Sequence, residues 1–250
     1  KLCLKLLGGF EIRLNGEPIT SFASNKGRPL LAYLAVESDH PHQRDSLAAL
    51  LWPGYPGTSA RTNLRNSLYA LRNAISDRDA APPFLLISRD TLQFNRESHY
   101  HLDTEILEEA HERGKEAEDT QMIAAVDLYI GEFLAGFTLE DALRFDDWTA
   151  VTQERMRRQV LDLLGILIDR LLLKGNPEGA LPYARRRVAI APWVEDAQRQ
   201  LIRLLATTGQ RSAALRQYRR CVQVLAEELG AEPSLETTAL FEKIRTVDNP

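Results

Sequence analysis

One segment of the chain concentrates side chains that are suited to binding nucleic acid. Residues 59–75, SARTNLRNSLYALRNAI, contain three arginines and three asparagines but no carboxylate. Guanidinium groups bind phosphate oxygens, and arginine and asparagine side chains read base edges in a DNA major groove. A carboxylate on the same surface would be repelled by the phosphates. The composition therefore predicts a nucleic-acid contact rather than a catalytic site.

The same segment has the spacing of an amphipathic helix. With about 100° between successive side chains, its large apolar residues fall on one narrow stripe. The stripe consists of Leu64, Leu68, Leu71 and Ile75. The polar side chains on the remaining surface are the predicted DNA contacts: Arg61, Thr62, Asn63, Arg65, Asn66, Tyr69, Arg72 and Asn73.

An ordinary solvated helix face is the competing interpretation of these arginines. It is weakened because no acidic residue within the segment lies three or four positions from an arginine, where the two could pair. Asparagine is also a weak helix former, so three asparagines in a single helix oppose local propensity. Nucleic-acid contact is the preferred interpretation.

The flanking residues predict the elements that position this helix. The first twenty residues have the pattern of short strands, with Asn15-Gly16 as a hairpin turn. Two helical patterns follow, in PLLAYLAVES and QRDSLAALLW, where Pro29 is tolerated only in a first turn. The loop PGYPGT predicts no helix, and Thr58 or Ser59 is the predicted N-cap of the arginine-rich helix.

A second hairpin is predicted in FLLISRDTLQF, turning at Arg89-Asp90. Strands, three helices and a hairpin in this order predict a winged helix-turn-helix domain over residues 1–98. Arg89 at the hairpin tip is predicted to reach a phosphate. Lys26 and Arg28, at the opening of the first helix, are predicted to form a phosphate-binding rim.

Residues 99–250 are predicted to form a second domain, and everything beyond Leu102 is predicted to be helical. Helices are expected near 103–117, 119–134, 142–173, 177–190, 194–207, 211–228 and 234–246. Gly175 and Gly209 lie 34 residues apart, as do Ala180 and Ala214, and this is the tetratricopeptide period. The predicted fold class is therefore an α+β winged helix-turn-helix domain followed by an all-α tetratricopeptide-like domain. A plain helical bundle is the alternative.

The charge distribution predicts two regions with different partners. Residues 1–100 contain 12 Lys and Arg against 9 Asp and Glu, whereas residues 101–250 contain 19 against 26. The overall net charge is −4. The N-terminal part of the sequence is therefore basic and the C-terminal part acidic.

Other chemistry is not supported by the sequence. No G-x-x-x-x-G-K-[ST] run is present, and the HPH and HYH histidine pairs lack the further ligands that a metal site needs. Cys3 and Cys221 are expected to be free thiols in a cytoplasmic protein, and no apolar run reaches the roughly 18–20 residues of a membrane span. No enzyme, metal or cofactor is predicted.

Several motifs resemble one bacterial family. LLAYLAVES, RDSLAALLWP and SARTNLRNSLYALRNAI resemble the DNA-binding half of the Streptomyces antibiotic regulatory protein family, a winged helix of the response-regulator type. YIGEFLAGF and ELGAEPSLETTALFEKI are similar to that family's bacterial transcriptional activator domain, which is built of tetratricopeptide-like helices. The resemblance implies an activator that binds direct repeats near promoters, often as a pair of copies (a homodimer on DNA), and recruits RNA polymerase.

The resemblance also implies particular sites. The recognition helix maps onto residues 60–75 and enters the major groove. The polymerase-contact loop maps onto Pro53, Gly54, Tyr55, Pro56, Gly57 and Thr58. The tetratricopeptide-like helices would then serve positioning, dimerisation or signal input.

Two other functions remain open from the sequence. In one, the helical repeats form a protein-interaction scaffold and the winged helix is not used for DNA. In the other, the chain is the regulatory front of a larger ATPase sensor.

Overall fold

The computed structural model describes residues 1–246 of the 250-residue chain. These residues form a helix-rich fold with two small sheets. The first compact unit contains Lys1–Glu109 and Asp127–Arg158, and the second contains Ala110–Val126 and the residues from Gln159 onward. Each unit is described separately.

The strands are β1 (Leu2–Lys5), β2 (Glu11–Leu14), β3 (Glu17–Pro18), β4 (His42–Gln43), β5 (Leu85–Ile87), β6 (Thr91–Phe94) and β7 (Tyr100–Leu102). The helices are α1 (Gly27–Val36), α2 (Arg44–Leu51), α3 (Gly57–Ala74), α4 (Asp103–Arg113), α5 (Asp119–Leu128), α6 (Leu143–Leu173), α7 (Pro177–Ile190), α8 (Glu195–Thr207), α9 (Arg211–Leu229) and α10 (Leu235–Thr246). A short 3₁₀ turn, Gly114–Glu116, follows α4.

The two sheets of the first unit contain the predicted hairpins. One sheet has the order β3-β2-β1-β7, with β7 parallel to β1. Its predicted turn is confirmed, because Asn15 and Gly16 take φ values of 53° and 92°, the left-handed pair that a tight hairpin needs. The other sheet has the order β4-β6-β5, and its β5–β6 pair is the predicted second hairpin.

Helix α3 packs against α1 and α2 and buries the predicted apolar stripe. The four stripe residues, Leu64, Leu68, Leu71 and Ile75, are at most 6% exposed. Pro29 is the third residue of α1 and so lies in the first turn, as predicted. Burial of one stripe leaves the opposite side of α3 facing solvent.

The start of α3 differs from the prediction. The helix begins at Gly57, with Pro56 as its N-cap, so the last two residues of PGYPGT are helical. No side chain caps the helix, and the predicted cap by Thr58 or Ser59 is therefore wrong. The physical reason is that Pro56 places its carbonyl to accept the Ala60 N–H at 2.9 Å, which starts the helix two residues early.

The predicted helix 119–134 is also too long. It ends at Leu128 because residues 132–134 instead pair with residues 6–8, which follow β1. The Gly8 N–H donates to Glu132 O at 2.9 Å, and the Leu134 N–H donates to Leu6 O at 2.7 Å. The two segments approach so closely that a Cβ atom on Gly131 would lie 2.9 Å from the Gly8 Cα.

Aromatic side chains from distant parts of the sequence form another part of the core of the first unit. The rings of Tyr33 and Trp148 lie 5.0 Å apart, and those of Phe145 and Trp148 lie 5.1 Å apart. The Trp148 Nε1–H donates to Glu37 Oε1 at 2.9 Å. This aromatic cluster joins α1 to the first half of α6 within one unit.

The second unit ends in the four helices α7 to α10. The predicted stop at KGNP is confirmed: Gly175 has a φ of 70°, and Asn176 caps α7 by accepting the Gly179 N–H at 2.9 Å. Ala180 and Ala214, one predicted period apart, are both fully buried. Across residues 1–246 no helix has the length and apolar character needed to cross a membrane.

Candidate nucleic-acid interface

The exposed side of α3 carries most of the predicted DNA contacts. Six of the eight predicted side chains are exposed on it: Arg61, Thr62, Arg65, Asn66, Tyr69 and Asn73. Asn63 and Arg72 are only half-buried and lie at the edges. We refer to the six exposed residues as the α3 face. It combines cationic, amide and hydroxyl groups and contains no carboxylate.

The two arginines near the start of the α3 face differ in their partners. Among residues 1–246, the Arg65 side chain makes no hydrogen bond or ion pair. Arg61, in contrast, donates from Nε and Nη2 to the two Asp45 carboxylate oxygens, each at 2.5 Å. The hydrogen bond to Arg61 lowers the pKa of Asp45, and the same bond raises the pKa of Arg61.

The expectation that these arginines lack acidic partners therefore needs correction. It holds within α3, but the partner of Arg61 comes from α2, 16 residues earlier. Both side chains of this pair are more than 60% exposed, so water and salt screen it strongly. Such an exposed pair contributes little to stability and costs little to open.

Arg72 has a different position from the other predicted contacts. Its Nε donates to Asp77 Oδ2 at 2.8 Å, and the Asp77 carboxylate is fully buried. The other oxygen, Asp77 Oδ1, accepts the N–H of Leu85 at the start of β5. Arg72 and Asp77 thus fix the end of α3 to the hairpin strand rather than extending the α3 face.

The β5–β6 hairpin places Arg89 beside the start of the α3 face. Arg89 is exposed in the turn, which is held by the Ser88 hydroxyl accepting the N–H groups of Asp90 and Thr91. A cavity of about 460 Å³ separates the hairpin turn from α3. Its lining is Gln43, Arg44, Asp45, Arg61, Thr62, Leu64, Arg65, Arg89 and Asp90.

Two arginines of this surface were not predicted from the sequence. Arg44 lines the cavity and donates from Nη2 to Ser88 O at 2.9 Å. The sequence feature that could have indicated Arg44 is its positive charge in the first turn of a helix, where the helix dipole disfavours a cation. Arg78 follows α3 and lies over the Tyr69 ring, 5.5 Å from its centroid. This contact could not be predicted from the sequence, because it depends on how the chain turns after α3.

The predicted phosphate-binding rim is not formed. Lys26 is 8% exposed, and its Nζ donates to Glu140 O at 2.8 Å; burial lowers its pKa. Arg28 donates to Phe10 O, and its guanidinium lies 4.4 Å from the centre of the Phe10 ring. Burial also lowers the pKa of Arg28. Both cations are engaged inside the first unit because residues distant in sequence fold over them.

The predicted polymerase-contact loop lies on the surface between α2 and α3. All six of its residues are exposed: Pro53, Gly54, Tyr55, Pro56, Gly57 and Thr58. Tyr55 is 55% exposed, which is high for an aromatic side chain. A cleft of about 340 Å³ beside the loop is lined partly by Trp52, Tyr55 and Arg144.

No metal-ligating cluster accompanies this surface. Within residues 1–246, no three His, Cys, Asp or Glu side chains are grouped so as to hold a metal ion. The described cysteines, Cys3 and Cys221, are free thiols. Burial raises the pKa of Cys221 to about 11, which leaves it protonated at neutral pH.

An exposed, cationic, amide-bearing helix beside a hairpin defines a class of nucleic-acid-binding regulators, and comparison with known proteins agrees with that class. Residues 101–245 match the family described as the bacterial transcriptional activator domain. The chain belongs to this family, and it is a transcriptional regulator of the Streptomyces antibiotic regulatory protein type, as the sequence motifs predicted.

Individual relatives support the same assignment along nearly the whole chain. The transcriptional regulatory protein MoaR1 of Mycobacterium tuberculosis (strain ATCC 25618 / H37Rv) is 26% identical over 245 residues, covering 96% of this chain and 78% of MoaR1. The transcriptional regulatory protein EmbR of the same strain is 26% identical over 268 residues, covering 98% of this chain and 63% of EmbR.

A solved structure shows a similar fold. The structure of M. tuberculosis EmbR in complex with a low-affinity phosphopeptide has a TM-score of 0.71 at 22% identity. The match covers 100% of this chain and 66% of the EmbR chain. These relatives are regulators of transcription by name.

Proposed function

We propose that this protein activates bacterial transcription by binding double-stranded DNA with residues 60–75 in the major groove. The observation that carries the proposal is the α3 face, which is exposed, rich in arginine and amide groups, and free of carboxylates. These groups pair with phosphates and with the base edges of the groove. Family membership supports DNA as the ligand.

Within this interface, the side chains take different roles. Arg65 and Arg61 bind phosphates or guanine edges, and Asn66 with Thr62 or Asn63 reads base edges. Tyr69 and Asn73 extend the contact along the groove. Arg89 on the hairpin binds the neighbouring backbone, as the wing of a winged helix does. Arg72 supports this surface through Asp77, and Lys26 and Arg28 stay outside it because both are engaged elsewhere.

The domain assignment is part of the proposal. Residues 1–98 form a winged helix-turn-helix domain, which is supported by three helices followed by the β5–β6 hairpin. Residues 99–250 form the activator domain, with tetratricopeptide-like helices. The 34-residue spacing of Ala180 and Ala214, and of the left-handed Gly175 and Gly209, supports this second assignment.

The partners follow from the same proposal. Two copies bind adjacent direct repeats near a promoter, and the exposed loop around Tyr55 contacts RNA polymerase. The protein then acts in the cytoplasm, where bacterial promoters are, and it needs neither catalytic residues nor a cofactor.

DNA binding by the full chain tests the proposal. Fragments that the protein retains are selected from the genome that encodes it, and the affinity for one of them is measured across a salt series. We expect salt-sensitive, sequence-dependent retention. Arg65→Ala is expected to weaken binding and to reduce the slope of log K against log [salt] by about 0.9, which corresponds to one phosphate contact.

The matched control is Arg158→Ala. Arg158 is 70% exposed on α6, pairs with Glu154 and also carries one positive charge. Its removal changes the net charge equally but is expected to leave the slope unchanged. Retention of no fragment, or equal effects of the two substitutions, would argue against the proposal.

A further inference from the structure

Helix α9 carries a second surface of arginines, remote in sequence from α3. Arg216, Arg219 and Arg220 are spaced three and four positions apart, so they share one side of the helix, and all three are exposed. The opposite side of α9 is packed into the second unit, where Ala214, Cys221 and Leu225 are buried. We refer to the three arginines as the α9 face.

The arginines of the α9 face are not neutralised. No position three or four residues from any of them holds a carboxylate, so no ion pair along α9 is available. Across residues 1–246, none of the three side chains makes a hydrogen bond or an ion pair with another part of the protein. Their positive charge is therefore presented to solvent in full.

Helix stability does not explain this arrangement. A helix dipole favours acidic residues in the first turn and basic residues in the last. Helix α9 has the reverse order: Arg211 opens it, its first turn has no acidic residue, and Glu227 and Glu228 lie in its last turn. The arginines of the α9 face lie in the middle of the helix, beyond the turns where the dipole acts, so the dipole does not account for them. Arg211 itself donates to the carbonyls of Ile244 and Arg245.

The surrounding sequence is basic as well, which refines the predicted charge division. Residues 159–246 contain 13 Lys and Arg against 10 Asp and Glu. Residues 101–158 contain 6 Lys and Arg against 15 Asp and Glu, so the net negative charge of residues 101–250 comes mainly from residues 101–158. Residues 110–126 of the same unit as α9 contain 2 against 4, so the unit as a whole is close to neutral and its positive charge is concentrated locally, as on the α9 face.

We propose that the α9 face binds the sugar–phosphate backbone of double-stranded DNA that flanks the sequence contacted by α3. This inference rests on the proposed DNA-binding function and adds a second, sequence-independent contact to it. Guanidinium groups match phosphate oxygens in geometry as well as in charge. Because both surfaces belong to one chain, binding by one raises the effective concentration of DNA at the other.

The composition of the α9 face favours phosphates over a protein partner. Protein interfaces depend on buried aromatic or aliphatic anchors. Within the described part of α9, no large apolar side chain is exposed between Ser212 and Gln223. The face offers guanidinium groups without an apolar anchor, which suits a regular row of phosphates better than it suits a peptide.

The test measures the salt dependence of binding to a long duplex. Its centre is a fragment that the wild-type protein retains, and its flanks are scrambled in sequence. We expect the double substitution Arg219→Ala/Arg220→Ala to reduce the slope of log K against log [salt] by up to about 1.8, or about 0.9 for each phosphate that is no longer bound. The effect should be the same for any flanking sequence, because backbone contacts carry no sequence information.

Two further variants make the result specific. Arg158→Ala/Arg245→Ala removes the same charge from exposed arginines that pair with Glu154 and Glu242, and it is expected to leave the slope unchanged. Arg219→Lys/Arg220→Lys keeps the charge and should retain most of the slope. Thermal unfolding monitored by circular dichroism confirms that all variants are folded.

An unchanged slope for the alanine double variant on the long duplex would overturn the inference, and so would an equal reduction in the paired-arginine control. The proposed function has its own readout in the same experiment. If Arg65→Ala still weakens binding while the α9 variant does not, only the inference about α9 fails. If no fragment is retained at all, the DNA-binding function itself fails.

Discussion

Asp77 and Arg72 form an ion pair in which only one partner reaches solvent: the Asp77 side chain is fully buried, whereas that of Arg72 is 28% exposed. The pair lies where α3 ends and the chain turns toward β5. Because Asp77 also accepts the Leu85 N–H, one carboxylate holds both the helix and the hairpin strand. The angle between these two elements depends on it.

Replacing Asp77 by alanine is expected to destabilise the protein by about 1.5–3 kcal/mol, because a charged hydrogen bond is removed and the buried Leu85 N–H is left without an acceptor. The free energy of unfolding in urea measures the effect. Asp79→Ala is the control, since Asp79 is exposed in the same turn and should change stability by no more than about 0.5 kcal/mol. Equal unfolding midpoints for the two variants would contradict this role.

Asp45→Asn is expected to strengthen DNA binding. The Asp45 carboxylate occupies the Arg61 guanidinium in the free protein and adds negative charge beside the α3 face. Without it, Arg61 binds DNA without first breaking this pair, so the affinity should rise, while the slope of log K against log [salt] should stay near the wild-type value because the number of phosphate contacts is unchanged. Fluorescence anisotropy with a retained fragment measures both quantities.

The control for Asp45 is Asp39→Asn, which removes another exposed carboxylate, one that pairs with a histidine rather than an arginine. It should alter affinity much less than Asp45→Asn does. Weaker binding by Asp45→Asn would mean that the carboxylate helps to orient Arg61 rather than competing with DNA.

Trp148→Ala is expected to destabilise the first unit by about 3 kcal/mol, because the ring fills a cluster with Tyr33 and Phe145 and its N–H is bound by Glu37. Trp148→Phe keeps an aromatic ring and should cost about 1 kcal/mol for the missing hydrogen bond. Chemical denaturation followed by far-ultraviolet circular dichroism gives both values. Val151→Ala, at a 70% exposed position of α6, is the neutral comparison. Similar values for all three would show that the cluster contributes little.

Asp103 gives the protein a defined pH dependence. Its carboxylate accepts the N–H groups of Leu6, Leu7 and Thr104, yet burial outweighs these bonds and raises its pKa from 3.8 to about 6. The folded state holds the Asp103 proton more tightly than the unfolded state does. Protonation of Asp103 therefore stabilises the fold fully below about pH 4, and this stabilisation is lost as the pH rises through 6. The decrease in stability should be about 3 kcal/mol.

Asp103→Asn removes this titration. The stability of the wild type relative to Asp103→Asn should therefore fall between pH 4 and pH 7, as measured by urea unfolding at each pH. A difference that grows with pH would show that the three N–H donors outweigh burial and that the carboxylate is favoured in the folded state.

The sequence predicted those features that depend on local spacing. The apolar stripe of α3, the Asn15-Gly16 turn and the helix stop at Gly175 follow from periodicity and turn chemistry over a few residues, and all are confirmed. The DNA contacts themselves remain a prediction. Helical periodicity predicted only that these side chains would lie on the solvent-facing side of α3.

Contacts between residues that are distant in sequence could not be predicted from local spacing. Lys26 is bound by a carbonyl 114 residues away, and Arg61 finds a carboxylate 16 residues earlier, so neither pairing is visible in a helical repeat. The end of α5 at Leu128 has the same origin, because the following residues pair with the segment after β1. Tertiary structure decided these cases against local propensity.

The near contact of Gly8 and Gly131 has a consequence for how this chain can change over generations. Every single-base replacement of a glycine codon that yields another amino acid introduces a β-carbon. At Gly131 that carbon would meet the Gly8 backbone, and at Gly8 it would meet Ile130 and would also sit at a φ of +96°. Almost every single-base change at either codon therefore destabilises the protein, and descendants of this gene should keep both glycines even where the α3 face diverges.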